Sequence, residues 1–390
     1  MMSWETVAVV GGLLVRAGMA MQQAGLVRSK NSAGMFARHL VDLALCVLGF
    51  GVIGAGLALA EGGKVLAFDA SLLAGGGQAD LRVLGMLALA MPAGAIVHGA
   101  AAERTRLWPL VGVAAVLYAA VVPLLLFWTK GAGWLAEMGF RDVGALAAVH
   151  LAASVFALTL AVRVGPRQGK HNRDGSTNAI PGHSAPLAAS GLFVLLAGWA
   201  VMMGSMGVSM LWLLFSASAA VLTALGLCHV RYGKPDVHLM SAAAFGGLVA
   251  ASAGPSGALA ALAGGVICGL GVPAAILIVD LTFRVDDPAG GVAVHGIGGL
   301  VGLILAGLIP AAGADRSWLM GAGIQILGVG VVLATAGVLG FGLVWLLGRA
   351  FPLRSREADE FDGLDLAEHD IGAYPDFQQT SIKSYHLREA

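Results

Sequence analysis

Charge is scarce in this chain. Only 12% of its 390 residues are Asp, Glu, Lys or Arg, too few to coat a soluble domain of that size. Cysteine is scarcer still. Cys46, Cys228 and Cys268 all sit in apolar runs with no C-x-x-C spacing, which argues against a disulfide framework or a thiolate metal site and for buried packing. Aromatic residues make up 7%. No phosphate-cradling glycine motif, cluster of metal-ligand spacing or nucleophile–base constellation is present, so neither an enzyme nor a cofactor is expected, and nothing points to nucleic acid. Met1–Glu5 carries no basic residue. The first apolar run is therefore read as a membrane span and not as a cleavable signal peptide.

What is abundant is hydrocarbon and glycine. Hydrophobic residues account for 58% of the chain and glycine for 58 positions, with a mean hydropathy of +0.83. Apolar runs of spanning length recur along most of the sequence, and small residues allow close helix approach where lipid gives no hydrophobic drive. We place spans near 5–26, 33–60, 80–102, 107–128, 142–162, 185–207, 209–230, 239–253, 256–281, 290–311 and 319–349. Basic residues then segregate. Arg28, Lys30, Arg38, Arg104, Arg106, Arg163, Arg167, Lys170, Arg173, Arg231, Lys234, Arg284, Arg349, Arg354 and Arg356 fall on one side, while Lys64, Arg82, Lys130, Arg141 and Arg316 fall on the other. The positive-inside rule puts the rich side in the cytoplasm and the N-terminus outside.

A fragment is repeated. Asp142 precedes His150 by eight residues in a stretch ending Ala148-Val149-His150, and Asp287 precedes His295 by eight in one ending Ala293-Val294-His295. The copies fall on spans 5 and 10, which run in opposite directions. That is the pattern of an inverted repeat whose matched helices meet near the midplane and build the substrate site there. The expectation is an all-α integral membrane protein of eleven transmembrane helices, an inverted 5+5 repeat plus one C-terminal span, with the N-terminus out and the tail in. The transmembrane domain would occupy 1–349, with repeat 1 near 5–162, repeat 2 near 185–311 and the extra helix near 319–349, followed by a cytoplasmic tail at 350–390. Each acid can cap its helix, and Asp142 can also shape a cation vestibule. The acidic tail carries Leu364, Leu366, Tyr374 and Phe377, which suit docking on the cytoplasmic face or on a partner.

Several segments together resemble the Amt/Mep/Rh ammonium transporter family, Amt/Mep most of all. These are Gly25-Leu-Val-Arg-Ser-Lys-Asn31, Gly99-Ala-Ala-Ala-Glu-Arg104, Gly131-Ala-Gly-Trp-Leu135, Gly165-Pro-Arg-Gln-Gly-Lys170, Asn178-Ala-Ile-Pro-Gly-His183, Asp286-Asp-Pro288, His295-Gly-Ile-Gly-Gly299 and, in the tail, Gly363-Leu-Asp-Leu-Ala-Glu-His369 with Ala373-Tyr-Pro-Asp-Phe377. The resemblance implies a homotrimer in the inner (cytoplasmic) membrane with one pore per subunit. It makes His150 and His295 the pore pair, ammonium or ammonia the cargo, and a PII-type regulator a possible partner of the tail. Two neutral imidazoles in contact can share a proton in a narrow apolar conduit that a hydrated cation cannot cheaply enter.

The sequence departs from the family at the entrance. The two stacked phenylalanines align with Leu89 and Gly85, and the aromatic segment of span 6 reads Gly198-Trp-Ala-Val-Met202. Lys130 takes the place of a vestibule tryptophan, with Trp128 nearby as a substitute and Trp134 just beyond. Trp128, Lys130, Trp134, Leu89, Met202 and Trp199 are therefore the entrance candidates, and the entrance is expected to be non-aromatic. Arg16 lies inside span 1, either packed at a subunit interface or lining the pore. His98 reads as a packing or cytoplasmic-end residue. The alternatives to transport are an ammonium sensor signalling through its tail and a channel for another small neutral or weakly basic solute.

Overall fold

In a computed structural model, the structure describes residues 2–254, 257–309 and 317–375. Arg316, Phe377 and the remainder of the tail past residue 375 lie outside the described residues. Ten helices are long and apolar enough to cross a membrane: α1 Trp4–Leu26, α2 Ser29–Ala58, α3 Gln78–Ala100, α4 Leu107–Met138, α5 Leu146–Val164, α6 Ala185–Ser205, α7 Met210–Tyr232, α9 Gly257–Thr282, α10 Gly291–Leu308 and α11 Trp318–Ala350. The eleventh apolar helix, α8 Val237–Ala251, is shorter. The helices start and stop within a few residues of the sequence expectation except at α4. There the chain runs helically to Thr129, bends, and closes with one further turn at Trp134–Met138.

Glycine decides how closely α1 and α6 approach. Gly11, Gly18 and Gly25 recur every seven residues along α1, and a Cβ on any of them would stand within 3 Å of α6 backbone atoms near Met202, Leu195 and Ala188. Two helix backbones can touch this way only if one presents no side chain, so each glycine adds dispersion contact instead of clash.

The family-like segments, far apart in sequence, converge on the basic-rich face. Glu103 is fully buried and accepts hydrogen bonds from Arg28, from Asn31 at 3.0 Å and from Arg167 at 2.5 Å. Arg167 also grips Asp286 with its backbone N–H at 2.9 Å and its guanidinium at 2.8 and 2.9 Å. Burial alone would raise the Asp286 carboxyl, yet the Arg167 hydrogen bonds and charge hold it well below the usual carboxylate range. The connections 27–31, 101–106, 165–170 and 283–289 are thereby fastened to one another.

The tail is laid against this face. Short helices α12 Glu357–Asp362 and α13 Leu364–His369 present acids to free helix N-termini. Asp365 accepts from the backbone of Ala33 and Gly34 at 2.9 and 2.7 Å, and Glu368 from that of Leu107 at 2.9 Å. Glu360 pairs with Arg354 at 2.8 Å, and Lys30 donates to the Phe361 carbonyl. Of the apolar tail residues, Leu364 is fully buried, whereas Leu366 and Tyr374 stay exposed.

Arg16 corrects the sequence expectation. It is buried within the chain and lines neither of the two large cavities described below, lying 2.7 Å from Asp42 of α2 and donating to the carbonyls of Met91 and His39. Such pairing is what an intramembrane cation requires. His98 packs edge-on against His39 with ring centroids 4.6 Å apart.

The Arg167 network yields a stability prediction. Arg167→Met leaves Asp286 and Glu103 buried with one cation fewer each. It should cost about 3–5 kcal/mol, the range for breaking a buried pair from one side, read as a large drop in the detergent unfolding midpoint, with Arg356→Met on the exposed tail surface as a near-neutral control.

Candidate functional site

The site is built by two helix N-termini entering from opposite faces. Asp142 precedes α5, and its carboxylate accepts from the amides of Ala147 at 2.9 Å and Ala148 at 3.1 Å and from the Thr129 hydroxyl at 2.8 Å. Asp287 precedes α10 and accepts from Gly291 at 2.9 Å and Val292 at 2.8 Å. Both acids therefore cap their helices. The α5 cap reaches one residue further because Leu146–Leu151 is wound as a π-turn, with the His150 N–H directed at the Ala145 carbonyl. Wide turns of this kind re-aim a side chain.

In each copy a short non-helical turn follows the capping acid, and the histidine then stands on the second turn of the helix, at the same place past its start. There the two imidazoles meet, Nδ1 to Nδ1 at 3.0 Å, with rings 13° from parallel and centroids 5.0 Å apart. One Nδ1 carries the hydrogen and the other accepts it. Both side chains are buried at 2% exposure. Their walls are aromatic: Trp199 lies 5.3 Å from the His150 ring and Phe245 4.8 Å from the His295 ring. The indole N–H of Trp199 is spent on Ser252 at 2.8 Å, so it presents the histidines with π-surface and no competing donor.

A cavity opens on either side of this pair. The one on the basic-rich face, about 590 Å³, is lined by Gln22, Arg167, Lys170, Asp236, His238, Asp280, Asp286 and Asp287 among others. The opposite one, about 770 Å³, is lined by Trp4, Leu59, Glu61, Arg82, Gly85, Met86, Leu89, Lys130, Ser205 and Met206 among others. Neither lining includes His150 or His295, which sit in the apolar constriction.

The entrance candidates separate into three groups. Leu89 and Lys130 do line the larger cavity. The Lys130 ammonium donates to the Val143 carbonyl at 2.9 Å, just beside the capping acid. Trp128 and Trp134 do not line it. They meet edge-on with ring centroids 6.1 Å apart, and Trp128 donates to the Val65 carbonyl at 2.7 Å, bracing the 59–77 connection. Trp199 and Met202 lie deeper, because the last turn of α6 places Ser205 and Met206 at the cavity wall and leaves Met202 buried against Gly11. Trp199 is thus a wall of the histidine site and not an entrance residue.

The expectation of a non-aromatic entrance also fails. Trp4, at the start of α1, lines the cavity, and its ring edge lies 3.0 Å from where a Gly85 Cβ would stand. The absent side chain at Gly85 makes the room that the indole takes. Nothing local in the sequence links positions 4 and 85. The signal was an unclaimed tryptophan one residue before an acid at a helix start.

Helices of spanning length around a buried imidazole pair, with a cavity toward each face, define a polytopic membrane protein with a constricted central site. The sequence matches the Ammonium Transporter Family over residues 3–374, and the chain belongs to that family. It is 30% identical to ammonium transporter Amt2 of Archaeoglobus fulgidus, with 96% of this chain and 89% of that protein covered. It is likewise 30% identical to ammonium transporter Amt1 of Haloferax mediterranei, over 92% and 76% of the respective chains. Among solved structures, a sensor Amt protein superposes with a TM-score of 0.88 at 29% identity, covering 94% of this chain and 97% of that one. Candida albicans Mep2, at 22% identity and a TM-score of 0.83 over 98% and 92%, shares the fold.

The capping geometry predicts that Asp142→Ala removes the acceptor of two helix amides and the Thr129 hydroxyl. It should cost about 1–2 kcal/mol by thermal unfolding, and Asp142→Asn, which keeps one amide acceptor, about half of that.

Proposed function

We propose that this chain transports ammonium or ammonia across a cytoplasmic (inner) membrane through a route that passes His150 and His295. The observation that carries the proposal is the Nδ1–Nδ1 contact at 3.0 Å in an aromatic, buried setting. A charged ammonium cannot cheaply occupy such a constriction. It sheds its proton, the neutral molecule moves on, and the shared imidazole hydrogen bond offers the proton a path. Basic residues segregated on one face support the N-out, C-in orientation. The pairings of α1 with α6 and of α5 with α10 support the two-repeat reading of about 5–162 and 185–311, with α11 as the extra helix. The resemblance supports a homotrimer and a PII-type partner for the docked tail.

At the outer cavity, the Trp4 ring and Glu61 favour a cation, while Arg82 and Lys130 oppose it. Arg82 is partly offset by Glu61 at 3.5 Å, leaving Lys130 as the principal repulsive group. A second reading, an ammonium sensor with little flux, is favoured by the similarity to the sensor Amt protein and by that lysine.

Uptake into proteoliposomes, with ammonium, methylammonium and a neutral solute compared, tests the proposal. Ammonium-dependent uptake is expected. Trp4→Leu should weaken apparent affinity and Lys130→Gln should tighten it, each by about 1 kcal/mol or somewhat less than tenfold. Absence of ammonium uptake in the wild type and in both variants would leave the sensor reading in place of transport.

A further inference from the structure

A second polar cluster lies away from the histidine constriction, between α2, α3 and α4. Arg38 and Asp42, one helical turn apart on α2, and His98 on α3 line a small cavity of about 20 Å³ closed by Gly94, Val97, Leu110, Val113 and Ala114, among others. The three polar residues are 2%, 3% and 4% exposed. Each turns unsatisfied atoms to its surroundings: Nε and Nη1 of Arg38, Oδ1 of Asp42 and both ring nitrogens of His98 make no hydrogen bond to any described residue. The other atoms are committed. Asp42 Oδ2 is held by Arg16 at 2.7 Å and Tyr118 at 2.9 Å, and Arg38 Nη2 by Glu368 of the tail at 2.7 Å and the Thr105 carbonyl at 3.0 Å. Gly94 leaves the Asp42 carboxylate its place, since a Cβ there would overlap it.

Side chains carrying unsatisfied donors and an unsatisfied acceptor thus line one space large enough for a single water, which needs roughly 10–15 Å³ and two to four polar partners. Ammonium does not suit it, having only donors to set against the Arg38 guanidinium. We propose that this cavity binds one water molecule bridging Arg38, Asp42 Oδ1 and a His98 nitrogen, and that the bridge holds Arg38 in the orientation that anchors the C-terminal tail through Glu368. Without the bridge, Arg38 has a free carboxylate oxygen one turn away on its own helix face. It swings toward Asp42 and releases Glu368.

The inference does not rest on the transport reading, and its test does not use flux. The full-length protein is solved at a resolution that shows ordered water, with and without ammonium, and the tail is probed by limited proteolysis. Density within about 3 Å of the three side chains is expected in both conditions. His98→Leu should speed tail cleavage about tenfold, Glu368→Gln should do the same, and the double variant should add little. A cavity with no density, density that appears only with ammonium, or an unchanged cleavage rate in folded His98→Leu would overturn the proposal. If His98→Leu does not fold, the wild-type density and His98→Asn, which keeps a polar group there and should retain tail protection, decide it.

Discussion

Inside a bilayer a polar side chain has no water to fall back on, so its partner must be built into the protein. This constraint organises the chain. His150 and His295 are tolerable at depth because each satisfies the other. Asp142 and Asp287 are tolerable because each takes two amide hydrogens that its helix start would otherwise leave free. Arg16 is tolerable because Asp42 and two carbonyls surround it. Where two such solutions come from helices entering opposite faces, the chain acquires a polar contact flanked on both sides by apolar wall.

The same logic fixes the solvent faces. Glu103, Asp286 and the tail acids meet the arginines and open helix N-termini of the basic-rich side. The segments that looked like separate motifs in the sequence are one interlocked layer in space, and the tail closes over it. Among the described residues, the opposite side carries no such layer. A wide cavity stands there whose charge balance is set by Glu61, Arg82 and Lys130.

The helices and the histidine pair were legible in the sequence because both rest on local signals. Span length follows from bilayer thickness, and the repeated acid-to-histidine interval sets each histidine at the same place past a helix start. What the sequence could not show is contact between residues with no shared period. Trp4 over Gly85, Arg16 on Asp42 and His39 against His98 each join separate helices at angles that only packing decides. Trp199 was misplaced for a related reason: alignment put it near the entrance, but the end of α6 lies a turn and a half beyond it, at Ser205 and Met206. Trp128, two residues from Lys130 in sequence, points away to the Val65 carbonyl of the 59–77 connection.

The central claim is that the shared proton of the two imidazoles carries charge while the neutral molecule crosses. Ammonium-evoked current across proteoliposomes on a solid-supported membrane tests it most directly, with wild type and His150→Ala compared at equal folded protein. The account predicts a current in the wild type that falls by about a hundredfold in the variant, the low end of what a positioned proton-transfer group contributes. An undiminished current in correctly folded His150→Ala would contradict it.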